Sequence, residues 1–204
     1  MYSILAIDLD YFNQMAEPAL RLEQLLDWAG FPVSVVVERH NQACHNQAFA
    51  RWKTREQTYG ITPSHILHVD EHHDMMDQRP QTNIANFMFH AMRIWPRCRL
   101  HWLVQHPIDS PAMWLEDETW DAFRRRFSRG PHRPARWPQP NLVSVCTSPG
   151  FVSQKLSEQL LAEGHDIVQC ADDNGGPCRG SEHHAHCPLE QHVDLAILAR
   201  PPES

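Results

Sequence analysis

The 204-residue sequence is long enough for one domain with a substantial hydrophobic core and too short for two domains of ordinary size. Its formal charge of −7 argues against nucleic acid as a partner, and its 42% apolar content argues against a disordered chain. The first ten residues lack a basic segment and include two aspartates, so we expect neither a signal peptide nor a membrane span. We therefore expect a cytoplasmic protein whose six cysteines are reduced.

Short apolar runs alternate with helical patterns along most of the chain. The apolar runs predict five strands, at residues 3–7, 33–37, 64–69, 100–104 and 141–146. The stretches with helical spacing predict five helices, at residues 18–28, 42–52, 84–94, 116–127 and 153–163. Because strands and helices alternate, the pattern predicts one α/β domain over residues 1–204, with three layers and a mainly parallel central sheet.

Two polar segments interrupt this alternation. Residues 128–140 are rich in proline and arginine and predict an exposed loop, which could border the site of a peptide substrate. Residues 170–192 carry six side chains that could bind zinc or copper and make the protein a non-enzymatic metal-binding or docking module: Cys170, Cys178, Cys187, His183, His184 and His186. These residues lack closely spaced cysteine pairs, which favours a solvated tail instead.

Aspartates and histidines follow three of the predicted strands. Because ligands of parallel α/β sheets bind beyond the carboxyl ends of the strands, we expect these side chains to meet at one edge. Carboxylates with a minority of histidines suit manganese or another hard divalent ion. Six ligands exceed what one catalytic ion takes from a protein, so the set predicts two ions that share a carboxylate. The predicted ligands are Asp8, Asp10, His40, Asp70, His72 and Asp74.

Each motif alone also has an ordinary structural interpretation. Asp8 and Asp10 could be a helix cap and a surface charge, and His40 could be a polar loop residue. Their convergence at three strand ends favours the metal site. If the backbone stays extended after the third strand, the ligands of HVDEHHD at 68–74 share one side, and Glu71 and His73 face away from them.

These motifs resemble those of the peptide arginases, a compact and rearranged branch of the arginase, or ureohydrolase, superfamily. The resemblance rests on IDLDYF at 7–12, the histidine after the second strand, HVDEHHD at 68–74 and TNIANF at 82–87. It covers residues 3–90 and, more loosely, residues 142–151. In the usual ureohydrolase chain the DxD motif comes last, whereas here it comes first.

The resemblance implies an arginase-like fold and two Mn²⁺ ions per chain. A hydroxide between the ions would attack the guanidinium carbon of an arginine in a ribosomally synthesised precursor peptide, which gives ornithine and urea. The alternative is a ureohydrolase that acts on free arginine or agmatine. By this resemblance Asp8 and Asp70 would bridge the two ions. His40 and Asp74 would complete the ligands of one ion, and His72 and Asp10 those of the other.

Further catalytic roles follow from the same resemblance. The departing ornithine amine needs a proton, and His90 and His73 are the candidates to deliver it. A carboxylate should pair with the substrate guanidinium in a fork-shaped contact. Glu71, next to the ligands, and Glu38, two positions before the predicted histidine ligand, are the candidates for that role.

Two asparagines are candidates for binding the substrate. Ureohydrolases keep polar residues shortly after the DxHxD motif to hold the amino-acid end of the substrate, and Asn83 and Asn86 lie at suitable positions. Asn86 could equally cap the helix that is predicted to begin near residue 84. The sequence alone leaves both interpretations open.

Overall fold

The fold is described from a computed structural model over residues 1–30, 34–38, 44–107, 109–148 and 150–163, with the backbone alone at 34–38, 44 and 161–163. The predicted ligand His40 and the cysteine- and histidine-rich segment 170–192 lie outside the described residues. No helix in this part of the chain is long and apolar enough to cross a bilayer.

Strands and helices alternate along the described residues, as the apolar pattern predicts. The strands are β1 Ser3–Asp8, β2 Ser34–Glu38, β3 His65–Val69, β4 Arg99–Leu103, β5 Phe127–Gly130 and β6 Leu142–Cys146. The α-helices are α1 Pro18–Ala29, α2 Cys44–Tyr59, α3 Phe87–Ile94, α4 Asp117–Phe123 and α5 Gln154–Glu163. Short 3-10 turns cover Leu9–Phe12 and Pro111–Met113.

The six strands form one sheet in the order β2-β6-β1-β3-β4-β5, and every neighbouring pair is parallel. The register pairs Ile7 of β1 with Val69 of β3, and Asp8 with Cys146 of β6. The carboxyl ends of β1, β3 and β6 therefore lie side by side in the middle of the sheet. The predicted α/β fold with a parallel sheet is confirmed.

Strand β5 is absent from the sequence prediction, which divides its residues between a helix end and a loop. Its sequence, Phe-Ser-Arg-Gly, has no apolar alternation, and its two central side chains are exposed. The strand lies at the edge of the sheet, where it pairs with β4 alone. Pairing with a neighbour, rather than local propensity, makes this segment a strand.

Two hydrophobic cores lie on opposite faces of the sheet. Ile4 and Ala6 of β1 pack in one core with side chains of α2 and α3, among them the buried Trp52. Leu5 and Ile7 alternate with them and pack in the other core with α1 and α5. Since burial of each large apolar side chain contributes about 1.5–3 kcal/mol, both helical layers hold β1 firmly in the centre.

The segment rich in proline and arginine, residues 128–140, runs from one end of the sheet to the other. Its first residues belong to β5, where the carbonyl of Gly130 accepts a hydrogen bond of 3.1 Å from the amide of Val104, just after β4. Its last residues lie at the amino-terminal ends of the strands. The ring of Trp137 is 4.9 Å from the ring of His65, the first residue of β3. The amide of Asn141 donates a hydrogen bond of 2.8 Å to the carbonyl of Ser3, at the start of β1. The segment therefore begins at the carboxyl end of β4 and ends at the amino-terminal ends of β1 and β3, and the expectation that it borders the site of a peptide substrate stays a prediction.

Candidate metal centre

The first pair of aspartates lies at the end of β1 in a tight 3-10 turn. Asp8 caps this turn, because its Oδ1 accepts a hydrogen bond of 3.0 Å from the amide of Asp10. The helix-cap interpretation of Asp8 is therefore correct, but it accounts for one carboxylate oxygen only. Both aspartates are 2% exposed, which is rare for carboxylates without a strong partner.

The second group of ligands lies in the loop that follows β3. The strand ends at Val69, so the extended backbone expected over residues 70–74 is wrong. Asp70 is held instead by the indole of Trp102, which donates 2.9 Å to its carbonyl, and its Oδ1 accepts a 2.6 Å hydrogen bond from the amide of His72. Asp74 has a left-handed backbone with φ 51°, and its carbonyl accepts hydrogen bonds from the first amides of α3. The loop thus brings the same three side chains together by folding back.

Three overlapping groups of carboxylates and imidazoles result, and Asp70 belongs to all of them. Within each group the possible ligand atoms lie within 4.8 Å of one another. The shared carboxylate lies where a bridging ligand between two ions would be needed. The groups are Asp8 with His45 and Asp70, Asp10 with Asp70 and His72, and His68 with Asp70 and Asp74.

His45 is the site residue that the sequence reasoning missed. Its Nε2 lies 2.6 Å from Asp8 Oδ2 and 4.0 Å from Asp70 Oδ2, and its ring stacks on Phe87 at 4.8 Å. It stands in the first turn of α2, whereas the prediction considered only residues that directly follow a strand. In a parallel α/β sheet the following helix begins at that same edge, so a histidine in its first turn was a usable signal.

His68 lies within the centre but does not point a lone pair at the carboxylates. Its Nε2 is 3.1 Å from the carbonyl of His72, so this nitrogen carries the proton. The same nitrogen lies 3.4 Å from Asp70 Oδ2 and 3.4 Å from Asp74 Oδ2. His68 Nε2 therefore faces these two carboxylates with a proton rather than a lone pair, and the groups that contain His45 and His72 are the better metal sites.

The electrostatics of the centre are those of carboxylates that need a cation. Burial raises the pKa of Asp70 well above its usual range, and repulsion from Asp10, Asp74 and Asp8 raises it further. Burial also raises the pKa of Asp10. The hydrogen bond with Asp10 raises the pKa of His72 to about 9. Burial raises the pKa of Asp74 as well, but its contact with His68 and the nearby His45 lower it more, so the net shift is downward.

The residues present fit hard divalent metal ions. Asp70 Oδ2 and Asp74 Oδ2 are buried and accept no hydrogen bond from the described residues. Such oxygens lose hydration without compensation unless a cation binds them. Four carboxylates with two imidazoles offer the oxygen-rich, partly nitrogen donor set that suits Mn²⁺. The supporting hydrogen bonds from Trp102 and from the loop amides hold the donors in place.

An open cleft of about 500 Å³ adjoins the centre on the side of His72. Tyr11, Glu17, Glu71 and Gln105 are among the residues that line it. Gln105 Nε2 donates a hydrogen bond of 2.7 Å to the Tyr11 hydroxyl and so connects the segments after β4 and β1. Burial raises the pKa of Glu71, as does repulsion from Asp10. Glu71 thus stands between the metal centre and the cleft, on the side from which a substrate would approach.

The predicted substrate residues Asn83 and Asn86 make hydrogen bonds within the loop that precedes α3. Asn86 Nδ2 donates 2.7 Å to Asp77 Oδ1, and Asn86 Oδ1 accepts 2.7 Å from the amide of Asn83. Asn86 makes no side-chain cap for α3, so the cap interpretation is wrong. His90 Nε2 lies 3.1 Å from the carbonyl of Arg79 and belongs to none of the three metal-binding groups. The side chain of Glu38 lies outside the described residues.

Comparisons of the chain with protein-family models, with curated proteins and with solved structures give no significant match. The geometry of the centre and the sequence motifs are thus the basis for a functional proposal.

We predict that metal binding releases protons at pH 7. His72 has a pKa of about 9 in the metal-free protein, and it must lose its proton to offer Nδ1 to an ion. Mn²⁺ affinity should therefore rise between pH 6 and 8, by up to about tenfold per pH unit for each proton displaced. Titration calorimetry in buffers of different ionisation enthalpy measures this release directly. An affinity that is independent of pH over this range would contradict His72 as a ligand.

We predict that Asp77 stabilises the loop before α3. Its carboxylate accepts hydrogen bonds from Arg79, Asn83 and Asn86, and the hydrogen bonds from Arg79 hold its pKa below the usual range. Asp77→Ala should lower the free energy of unfolding by about 1–3 kcal/mol in urea denaturation. The wild-type advantage is present above pH 4 and declines as the pH falls through the lowered pKa. The control is Asp121→Ala, which removes an exposed ion pair with Arg124 and should change stability by less than about 0.5 kcal/mol.

Proposed function

We propose that this chain is a manganese-dependent hydrolase that converts arginine side chains of a ribosomally synthesised precursor peptide into ornithine and releases urea. One observation carries the proposal: the DxD and DxHxD motifs, which lie more than fifty residues apart, meet in one buried centre around Asp70. This is the arrangement that the resemblance to peptide arginases implies. The centre is acidic, which favours a cationic substrate over a neutral one.

Each ion would be bound by residues from the carboxyl ends of both β1 and β3. Asp8, His45 and Asp70 would hold one ion, and Asp10, Asp70 and His72 would hold the other, with Asp74 beside the shared carboxylate. Two such ions supply a hydroxide at neutral pH and the Lewis acidity that a guanidine hydrolysis requires. The protein contributes the fixed positions of the ligands and a cleft that presents the guanidinium carbon to them.

The chemistry needs a proton for the departing amine. Attack of hydroxide on the guanidinium carbon is followed by cleavage of the bond from that carbon to the side-chain Nε, and Nε takes up a proton as ornithine leaves with urea. Glu71 is the titratable side chain between the centre and the cleft, and its raised pKa suits a proton donor. His73 and His90, the histidines considered for this role, do not line the cleft.

The size and exposure of the cleft support a peptide rather than a free amino acid. A space of about 500 Å³ that opens to the surface exceeds what one arginine needs and leaves room for neighbouring residues. Phe151 is 58% exposed, and its ring lies 6.1 Å from the ring of His72. An exposed aromatic ring next to the centre provides an apolar contact for the residues that flank an arginine.

Free arginine is the second candidate substrate, because Arg21 also lines the cleft and could pair with a free α-carboxylate. The test is to incubate the Mn²⁺-loaded protein with arginine-containing peptides, free arginine and agmatine, and to measure urea together with the mass of each product. Conversion of peptide alone supports the proposal, and conversion of free arginine alone supports the second candidate. A matched peptide with lysine in place of arginine is the control. Absence of urea from every substrate in a protein that holds two Mn²⁺ ions would refute both.

A further inference from the structure

His73 lies between two of the ligands but faces the opposite side of the loop. It is fully buried, and its ring packs edge-on against Trp102 at 5.5 Å. Its Nδ1 accepts a hydrogen bond of 3.0 Å from the amide of Met75, so the proton resides on Nε2. Nε2 lies 3.3 Å from Asp109 Oδ1. Both ring nitrogens therefore lie inside the protein, away from the cleft, and Nε2 has the Asp109 carboxylate as a close polar contact without a hydrogen bond.

Asp109 connects this histidine to a different part of the fold. It belongs to the connection that follows β4, and the same connection supplies Gln105 to the wall of the cleft. Its second carboxylate oxygen accepts 2.9 Å from the indole of Trp114, and its carbonyl accepts 2.6 Å from Arg129 of β5. Asp109 is thus fixed from two sides, independently of the metal-binding loop.

We propose that His73 and Asp109 form a positioning pair that anchors the metal-binding loop to the connection after β4, and that this anchor sets the metal affinity of the centre. His73 and Asp109 act through His72 and Asp74, the ligands on either side of His73. The inference rests on the metal centre proposed above and not on the identity of the substrate.

The physical reason is the lack of regular structure in the loop. Residues 70–76 leave the sheet at Val69 and include a left-handed residue at Asp74. The amide of Asp70 still donates 3.4 Å to the carbonyl of Leu103, but β-ladder hydrogen bonds do not hold the ligands after it. Polar contacts to rigid neighbours must hold the ligands instead. His73 makes such contacts, and the contact of its Nε2 connects the loop to Asp109. Loss of such an outer contact typically costs ten- to a hundredfold in metal affinity, because the ligands must then be ordered on binding.

Calorimetric titration of the full chain with Mn²⁺ tests the His73–Asp109 pair and requires no measurement of activity. Asp109→Ala should weaken Mn²⁺ binding about tenfold, although Asp109 is not a member of any ligand group. Asp109→Asn keeps an oxygen for His73 Nε2 and should restore binding to within about threefold of wild type. His73→Asn keeps an acceptor for the Met75 amide, loses the contact with Asp109, and should match Asp109→Ala. The double variant His73→Asn with Asp109→Ala should be no weaker than either single variant, because both remove one contact.

The controls separate this effect from general destabilisation. Trp114→Phe removes the hydrogen bond from the indole to the Asp109 carboxylate and should leave Mn²⁺ affinity within about threefold of wild type. Wild-type affinity in Asp109→Ala would overturn the proposal, and so would additive losses in the double variant. Absence of Mn²⁺ binding in the wild type would overturn the metal centre itself together with this inference, which distinguishes the two failures.

Discussion

Asp70→Asn is expected to abolish binding of both Mn²⁺ ions and to reduce urea release by at least about three orders of magnitude. Asp70 belongs to all three metal-binding groups, so its loss removes a ligand from each ion and also the bridge between them. Metal content by elemental analysis and urea release from an arginine-containing peptide are the measurements.

The same substitution should stabilise the metal-free protein at pH 7. Burial and three neighbouring aspartates raise the pKa of Asp70, which means that its ionised form opposes folding when no cation is present. The amide has the shape of the carboxylate without the charge. Urea denaturation in the presence of a chelator should therefore give Asp70→Asn a higher free energy of unfolding than wild type. A variant that still binds two ions, or that is unfolded without metal, would contradict this role of Asp70.

His45→Ala is expected to leave one Mn²⁺ ion per chain and to lower the turnover number by about a hundredfold or more. His45 is the imidazole in the group with Asp8, whereas His72 serves the other group, so one site should survive. Stoichiometry by elemental analysis and turnover at saturating peptide are the measurements. A single ion cannot polarise a nucleophile from both sides, which is why turnover should fall more than peptide affinity.

His40→Ala is the matched control, because the sequence motifs predict this histidine as the ligand and it lies outside the described residues. We expect His40→Ala to retain two ions, since His45 already supplies the imidazole next to Asp8. Loss of one ion in His40→Ala, together with two bound ions in His45→Ala, would identify His40 as the metal ligand instead of His45. Each variant removes one imidazole, so a difference in metal content between them reflects the position of the histidine and not the number of imidazoles in the chain.

The elements and most of the ligands follow from local patterns. Apolar runs locate β1, β3, β4 and β6 to within a residue or two, because these strands are buried on both faces and are therefore mostly apolar. The polar residues that interrupt those runs mark the carboxyl ends. Asp8, Asp10, Asp70, His72 and Asp74 could be placed together for that reason alone.

What the sequence leaves open depends on contacts between distant segments. Strand β5 exists because β4 has a free edge, and its own residues give no apolar signal. The position of Asn86 in the sequence suits a substrate-binding residue or a helix cap, yet its side chain is hydrogen-bonded to Asp77 and Asn83. The segment of residues 128–140 is polar as predicted, but its course from the carboxyl end of β4 to His65 at the start of β3 depends on pairing of Gly130 with Val104 and on packing of Trp137.

By itself, the sequence determined a parallel α/β fold and an acidic site at the ends of β1 and β3, because buried strands and clustered carboxylates leave strong local signals. Only the tertiary structure decided that His45 approaches Asp8, that Asp70 is shared by every group found among the described residues, and that His73 faces Asp109 instead of the cleft. The reason is that these features depend on where a helix begins and how a loop without regular structure folds back. Both are set by packing against segments far away in the chain.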